Sequence, residues 1–250
     1  MEKINRLVFC GDIHGELPTL IYNMTERYKL TNSAVIVVGD FGVGFESKAY
    51  FDQIYNKYSH RLEKNNNMIY AIRGNHDDPE YFKDPDSSFN YERMKLLKDH
   101  TIYEIAGKKI YTIGGANSID RDWRIDYNEE HKNTTGRKVW WEDEDITRVD
   151  VDKLNIGPVD FVVSHEAPLS FSPVISRSSE MSAEIYGKVL DSRLYLNSIL
   201  QNVRAKYWIY GHYHESYSGS YNDLVYRCLN INEFFEPLIY GEESEDVNKP

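Results

Sequence analysis

Cysteine is scarce in this chain of 250 residues, which contains only Cys10 and Cys228. Cys10 ends an apolar run and Cys228 lies within another. Two thiols cannot build the disulfide framework of a small secreted domain, and a chain of this length can bury a large apolar core without one. We therefore expect both cysteines to be small buried side chains.

Basic charge is also scarce. The chain has 29 lysines and arginines against 40 aspartates and glutamates, which gives a formal net charge of −11. A protein that binds nucleic acid through broad contact with phosphates carries the opposite balance, so we expect no extended nucleic-acid binding. The charge does not exclude hydrolysis of a nucleotide, because bound metal ions would cancel several carboxylates at a site.

Long apolar runs are absent as well. No run approaches the ~20 residues that a membrane-spanning helix needs. The first residues, Met-Glu-Lys-Ile-Asn-Arg, lead into a short apolar run and lack the apolar region of a signal peptide. We expect a soluble, cytoplasmic protein without a membrane partner.

The length and composition fit one large domain. We predict a single domain over residues 1–241. Residues 242–250 are acidic and poor in apolar side chains, so we predict a disordered tail there.

Five short apolar runs are each followed, within two residues, by a small residue and then a polar one. Runs of this length favour strands buried on both faces, in an α/β sheet covered by helices. Their polar endings would then meet at one edge of the sheet, where open α/β folds bind ligands. The runs are 7–10, 34–38, 68–72, 159–163 and 207–210.

Between these runs, apolar residues recur at helical spacing over 17–28, over 47–64 and around 190–203. Strands that alternate with helices predict βαβ units. We also predict a hairpin over 102–113 and further strands at 224–231 and 237–240. Residues 117–152 show no clear period and include the pair Trp140 and Trp141. We interpret this segment as a long, lid-like insertion without regular structure.

Histidine, aspartate and asparagine residues concentrate at the predicted strand ends. Burying so many polar groups together requires a partner, and a divalent metal ion satisfies them all. In an extended segment alternate residues point to the same side, so Asp12-x-His14 and His212-x-His214 can each reach a common centre. Carboxylate, amide and imidazole ligands suit Mn²⁺, Fe or Zn²⁺, and a carboxylate such as Asp40 can bridge two ions.

Five sequence blocks carry a resemblance to a known family. They are Gly11-Asp12-Ile13-His14-Gly15, Gly39-Asp40, Gly74-Asn75-His76-Asp77, Ser164-His165 and Gly211-His212-Tyr213-His214. In this order they resemble the signature blocks of the calcineurin-like metallophosphoesterases. The resemblance spans residues 11–214 and implies an α/β fold in which two mixed β-sheets pack as a sandwich flanked by helices.

The resemblance also implies two divalent metal ions, with Mn²⁺ expected first and Fe, Zn²⁺ or Ni²⁺ as alternatives. Asp12, His14 and His214 would hold one ion, and Asn75, His165 and His212 the other, with Asp40 between them. His76 would be the catalytic histidine. It would act as an acid and charge stabiliser beside a metal-bridging hydroxide, the expected nucleophile.

The second block departs from the Ser/Thr protein phosphatase branch of the family. That branch continues with an Asp-Arg pair, whereas this chain has Phe41-Gly42-Val43-Gly44. The missing arginine binds phosphate in that branch, and the missing aspartate orients the catalytic histidine. We consider Asp77, or Asp78, for the orienting role, and Arg121 and Arg124 of the insertion for phosphate binding.

These observations predict a metal-dependent hydrolase of phosphomonoesters or phosphodiesters, acting on a phosphorylated small molecule or nucleotide. The alternatives are a Ser/Thr-type protein phosphatase or a nuclease that uses the same site. A third alternative, a non-catalytic interaction module on this scaffold, is disfavoured because every expected ligand position is filled.

Overall fold

Two β-sheets form the centre of the molecule, in a computed structural model that describes residues 3–84, 86–133, 138–174 and 182–237. The first sheet has the strand order β11-β1-β2-β3-β4. Strands β1 to β4 are parallel, and β11 pairs antiparallel with β1. Its strands are β1 (Arg6–Cys10), β2 (Ser33–Val37), β3 (Met68–Ala71), β4 (Met94–Leu96) and β11 (Phe234–Phe235).

The second sheet has the order β5-β6-β7-β8-β10-β9. Four neighbouring strands, β6, β7, β8 and β10, are parallel, and the two edge strands pair antiparallel with them. Its strands are β5 (Thr101–Ile105), β6 (Lys108–Ile113), β7 (Pro158–Ser164), β8 (Arg204–Tyr210), β9 (Tyr217–Tyr221) and β10 (Leu224–Cys228). Both sheets are therefore mixed, as expected.

The two sheets pack face to face through alternate side chains of their strands. Leu7 and Phe9 of β1 join Phe161 and Val163 of β7 in a shared apolar cluster, and the rings of Phe9 and Phe161 lie 5.0 Å apart. The intervening residue Val8 faces the helices instead. Because successive residues of a strand point to opposite faces, strands covered on both sides are apolar throughout.

Helices cover the outer faces of both sheets. The first sheet packs on α1 (Leu17–Tyr22), which continues as a π-helix (Asn23–Arg27), and on α2 (Lys48–Lys64). The second sheet packs on α5 (Ala183–Asn202). Ser47 caps α2 and Ser182 caps α5, each accepting a hydrogen bond from a backbone N–H of the first turn. The result is the predicted sandwich flanked by helices.

The insertion over 117–152 differs from its prediction, because it contains regular structure. Helix α4 (Arg121–His131) and a short 3₁₀ helix (Val151–Lys153) lie within it. Arg124 is the buried residue of α4 in the described chain, and Trp123 is exposed. A helix without an apolar stripe has no hydrophobic period, so the sequence pattern did not indicate it. Trp141 and Ile146, by contrast, are buried.

Several other predictions are confirmed. The hairpin formed by β5 and β6 lies at its predicted position. A short helix, α3 (Glu80–Lys83), was not predicted and follows the third block. Cys10 and Cys228 are free and buried. Among the described helices, none combines the length and apolarity needed to cross a membrane. Of the strand predicted at 237–240 only Pro237 lies within the described residues, and the tail predicted at 242–250 lies outside them.

Candidate functional site

The polar residues of the five blocks meet at one edge of the sandwich. Asp12, Asp40 and Asn75 lie just beyond β1, β2 and β3 of the first sheet, and His165 and His212 lie just beyond β7 and β8 of the second. Within each sheet these strands run parallel to one another, so their carboxyl ends lie at the same edge. The fold thus brings together residues that are up to 200 positions apart.

One group of side chains can hold a metal ion. Asp12, His14, Asp40 and His214 each offer one ligand atom, and these atoms all lie within 4.8 Å of one another. His14 Nε2 lies 3.0 Å from His214 Nε2, which in turn lies 3.3 Å from Asp12 Oδ2. Two imidazoles and two carboxylates at this spacing match the donor set of a divalent transition metal.

A second group lies on the other side of Asp40. Asn75 Oδ1 is 3.1 Å from His165 Nε2, and the ring of His212 lies 5.0 Å from the ring of His165. Asp40 directs its two oxygens to different groups, since Oδ1 lies 3.3 Å from His165 Nε2 and Oδ2 lies 3.7 Å from His14 Nδ1. This geometry suits a carboxylate that bridges two cations.

The charges of the cluster favour an ionised Asp40. Burial alone would raise its pKa, but His165, His76 and His14 hold the pKa well below the usual value. Burial lowers the pKa of His165, yet Asp40 raises it to about 10 overall. The pKa of His212 is well below the usual value because of its burial and the neighbouring His165. Asp40 is therefore in the form that binds metal.

Four of the expected ligands adopt a left-handed backbone conformation, with φ of 46° at His14, 48° at Asp40, 71° at His212 and 53° at His214. Such a conformation costs about 1–3 kcal/mol at a non-glycine residue and is typical of functional sites. Asp77 stabilises the loop after Asp40. Its carboxylate accepts hydrogen bonds from the backbone N–H groups of Phe41, Gly42, Val43 and Gly74.

Glycines precede the ligands because neighbouring ligands lie against them. A Cβ atom on Gly74 would lie 2.1 Å from Asp40 Oδ1, and one on Gly211 would lie 2.2 Å from Asp12 Oδ1. Neither glycine has a positive φ, so steric room rather than backbone freedom requires it. This close approach gives a physical reason for the glycine at these two positions.

His76 lies beside the candidate metal ligands and contacts Arg124. Nε2 of its ring is 2.6 Å from Arg124 Nη2, and Nδ1 is 3.2 Å from Arg124 Nη1. Burial, with a smaller contribution from Arg124, lowers the pKa of His76 to about 4 overall, although Asp40 opposes the shift. The ring is therefore neutral and can accept a hydrogen bond from the guanidinium group.

The structure places Asp77 away from the expected orienting position. Its two oxygens are engaged by four backbone N–H groups, and among the described residues no hydrogen bond joins it to the ring of His76. Burial raises the pKa of Asp77 to about 6. Asp78 accepts from the backbone of Glu80 at the start of α3 instead. The residue that contacts His76 is Arg124, which Asp120 holds at 2.7 Å.

The two arginines expected to bind phosphate occupy different places. Arg124 is buried and lines a cavity of about 510 Å³ together with Asp40, Asn75 and His76. Arg121 does not line this cavity. Its guanidinium lies 5.4 Å from the ring centre of Trp140 and 3.9 Å from Glu184. Positions three apart on a helix differ by only about 60° in direction, so it is the contact with Trp140 and Glu184 that draws Arg121 away from the cavity.

Sequence reasoning missed two further polar elements of the site. Arg193 of α5 is buried and lines the same cavity. It falls on the apolar stripe of its helix, between Val189 and Leu196, and a charge at such a position was a usable signal. Ser118 also lines the cavity and is bonded to the buried Glu144, whose pKa burial raises to about 7. No periodic pattern marked this pair.

Comparison with known proteins gives a family and several structures of similar fold. The family model for calcineurin-like phosphoesterases matches residues 5–216. No curated protein matches the sequence. The structure of TT1561 from Thermus thermophilus is 11% identical, covers 91% of this chain and 89% of its own, and gives a TM-score of 0.43.

Two further solved structures are similar over most of their length. An archaeal phosphodiesterase is 15% identical over 94% of this chain and 99% of its own, with a TM-score of 0.38. The phosphopantetheinyl hydrolase of Mycobacterium tuberculosis is 12% identical over 91% of this chain and 90% of its own, with a TM-score of 0.39. The family model covers all five blocks, and the chain belongs to the calcineurin-like phosphoesterase family.

Proposed function

We propose that this protein is a phosphoesterase that uses two divalent metal ions. The single observation that carries the proposal is the position of Asp40, whose two oxygens face two separate groups of ligand atoms. Asp12, His14 and His214 would hold the first ion and Asn75, His165 and His212 the second, with Asp40 between the two groups. Mn²⁺ fits this set of oxygen and nitrogen donors, as do Fe and Zn²⁺.

Bound ions at these positions would neutralise the phosphate and lower the pKa of an attacking water. Residues of the protein would bind the phosphate and supply the proton for the leaving group. Arg124 presents a planar guanidinium to the cavity, held from behind by Asp120 and by the carbonyl of Val139. A phosphate that enters the cavity competes with His76 for this group, because a guanidinium bonds an anion more strongly than a neutral ring.

His76 then supplies the proton for the leaving oxygen. Replacement of the guanidinium by a phosphate dianion favours the protonated ring, since an opposite charge within ~4–6 Å raises a histidine pKa. The protonated ring can donate to the leaving alkoxide or phenoxide. In this proposal His76 is the catalytic acid, and Arg124 binds the phosphate and sets the protonation state of the ring.

The cavity supports a small substrate. Its volume of about 510 Å³ lies within the range of roughly 300–1,000 Å³ that is typical of small-molecule sites. The net charge of −11 opposes binding of long nucleic acids. We therefore propose a phosphorylated small molecule or a nucleotide as substrate.

The test compares a chromogenic phosphomonoester with a chromogenic phosphodiester in the presence of Mn²⁺. We expect metal-dependent turnover of at least one substrate by the wild type. Asp40→Asn should lose bound metal and activity together. His76→Ala should keep its metal, measured by elemental analysis, and lose activity by about 10²–10⁴-fold.

His60→Ala is the matched control, because His60 is exposed on α2 and remote from the five blocks. It should retain both metal and activity. Wild-type protein that turns over neither substrate, whether metal-loaded or metal-free, would contradict the proposal. Full activity of His76→Ala toward an ester with a poor leaving group would remove the acid role alone.

A further inference from the structure

The amide of Asn75 is one end of a buried chain of hydrogen bonds. Asn75 Nδ2 donates to Ser118 Oγ at 3.0 Å. Ser118 donates twice to Glu144, from Oγ to Oε2 at 2.6 Å and from its backbone N to Oε1 at 2.9 Å. The three residues are 3%, 1% and 2% exposed. These three side chains are therefore largely shielded from bulk water.

The hydrogen bonds from Asn75 to Glu144 have a fixed direction, because an ionised carboxylate can only accept hydrogen bonds. Both oxygens of Glu144 accept from Ser118, so the single hydroxyl proton of Ser118 points to Glu144. The hydroxyl oxygen then has only lone pairs to offer to Asn75. The amide must present its NH₂ group to Ser118, and its carbonyl oxygen Oδ1 must face His165.

We propose that Ser118 and Glu144 are positioning residues that orient the amide of Asn75, so that its oxygen faces the second metal ion. The inference rests on the proposed function, which assigns Asn75 to that ion. An amide rotated by half a turn would direct its NH₂ group at the cation and lose the ligand. Ser118 and Glu144 are not among the proposed metal ligands. They remove the unproductive orientation.

The segment that carries Glu144 is attached to the same strand end as Asn75. Arg73, two residues before Asn75, donates to the backbone carbonyls of Glu144 at 2.9 Å and Asp145 at 2.8 Å. Its Nε also pairs with Asp99 at 2.7 Å. This buried guanidinium holds the Glu144 backbone in place relative to the loop of Asn75. The insertion thereby takes part in building the metal site.

The protein contains a second set of hydrogen bonds of the same kind, which supplies a matched control. Asn117 Nδ2 donates to Ser192 Oγ at 2.8 Å, and Ser192 Oγ donates to Asp145 at 2.7 Å. This second chain of amide, hydroxyl and carboxylate holds the same segment, but it ends on Asn117, which is not a proposed ligand. Ser192→Ala therefore removes an equivalent buried hydroxyl without disturbing Asn75.

The experiment measures the affinity of each of two Mn²⁺ equivalents by titration calorimetry. It is carried out at about pH 8, above the pKa of about 7 of Glu144, so that the carboxylate is ionised. Ser118→Ala should weaken binding of one equivalent by about 10–100-fold, the usual effect of losing a hydrogen-bond partner of a metal ligand. Ser118→Thr, which keeps the hydroxyl, and Ser192→Ala should bind both equivalents as the wild type does.

Glu144→Gln gives an isosteric test of the direction of the chain. A glutamine can accept from the backbone N–H of Ser118 with its oxygen, but its NH₂ group then donates to Ser118 Oγ. The hydroxyl proton turns toward Asn75, and the amide of Asn75 rotates its NH₂ group to the metal. We expect the same loss of about 10–100-fold for one equivalent, although the shape of the side chain is unchanged.

A double substitution separates orientation of Asn75 from a general structural role. Asn75→Ala should already lose the Mn²⁺ equivalent that Asn75 is proposed to bind. Adding Ser118→Ala to this variant should therefore change the remaining Mn²⁺ affinity by less than about twofold. If the wild type binds two equivalents and the Mn²⁺ affinities of Ser118→Ala and Glu144→Gln are unchanged, the inference about Asn75 is overturned and the proposed dinuclear site is not. Wild type without two equivalents would overturn the proposed dinuclear site and the inference with it.

Discussion

Arg124 is our candidate for the role of the arginine that the second block lacks. The loop after Asp40 has no basic side chain, but α4 delivers one from a different part of the chain to the same cavity. Its guanidinium is buried and already oriented by Asp120, so little side-chain freedom is lost when it binds a phosphate. We infer that phosphate binding depends on one insertion residue rather than on the second block.

Replacement of Arg124 tests this role. Arg124→Gln should lower kcat/KM for a phosphomonoester by about 10–100-fold, because a hydrogen bond to a charged group contributes about 1.5–3 kcal/mol. Steady-state kinetics on metal-loaded protein measures the effect. Arg121→Gln, three positions earlier and outside the cavity, should change kcat/KM by less than about twofold. Equal losses in the two variants would contradict the assignment.

At the scale of elements, the segment that follows α4 is attached to the second sheet by polar side chains. His100, just before β5, is 2.7 Å from Tyr111 Oη through Nδ1 and 2.6 Å from the carbonyl oxygen of Thr147 through Nε2. A neutral ring with its proton on Nε2 donates to the carbonyl and accepts from the tyrosine. A second proton on the ring would sit on Nδ1, so the Tyr111 hydroxyl would have to accept a hydrogen bond from the ring instead of donating one.

Stability should therefore depend on the protonation of His100. Burial lowers the pKa of His100 in the fold, whereas the unfolded chain has the ordinary histidine pKa of about 6.5. The unfolded state thus binds the proton more readily, so the stabilisation is complete above about pH 6.5 and is lost as the pH falls below that value. Urea unfolding at a series of pH values measures this loss.

His100→Gln is the comparison for that experiment, since glutamine does not titrate. The other histidines contribute equally to both proteins, so the difference between the two curves isolates His100. The free energy of unfolding of the variant should fall less steeply on acidification. Parallel curves for the two proteins would show that His100 has the same pKa in both states.

At the scale of the whole molecule, the proposed metal site draws its residues from both sheets. Asp12, His14, Asp40 and Asn75 follow strands of the first sheet, and His165, His212 and His214 follow strands of the second. A bridging carboxylate from one sheet and imidazoles from the other would be held together by the ions. Loss of the metal would leave buried carboxylates and imidazoles without their partner.

Metal removal should therefore lower the thermal stability. Binding at a free concentration 100 times Kd stabilises a protein by about 2.7 kcal/mol, which corresponds to a Tm shift of about 5–10 °C in a protein of this size. Differential scanning calorimetry with Mn²⁺ and with a chelator measures the shift. Asp40→Asn serves as the comparison and should show a clearly smaller one. Identical Tm values for the wild type under both conditions would contradict a metal that joins the sheets.

Much of the fold followed from local patterns. The five apolar runs are strands because they are covered on both faces, and the polar residues behind them meet because parallel strands share a carboxyl end. Both features are properties of short segments and of the sheet edge, so the sequence by itself determined the fold class, the family and the blocks that supply candidate ligands. The assignment of each ligand to an ion stays a prediction.

Other features depended on packing between distant segments. Helix α4 has no apolar stripe, and which of its two arginines enters the cavity depends on how the helix is rotated. Asp77 bonds the loop of Asp40 because that loop closes around it. Ser118 and Glu144 are 26 positions apart and carry no shared pattern. Only the tertiary structure decided these contacts, because a hydrogen bond between remote residues leaves no periodic trace in the sequence.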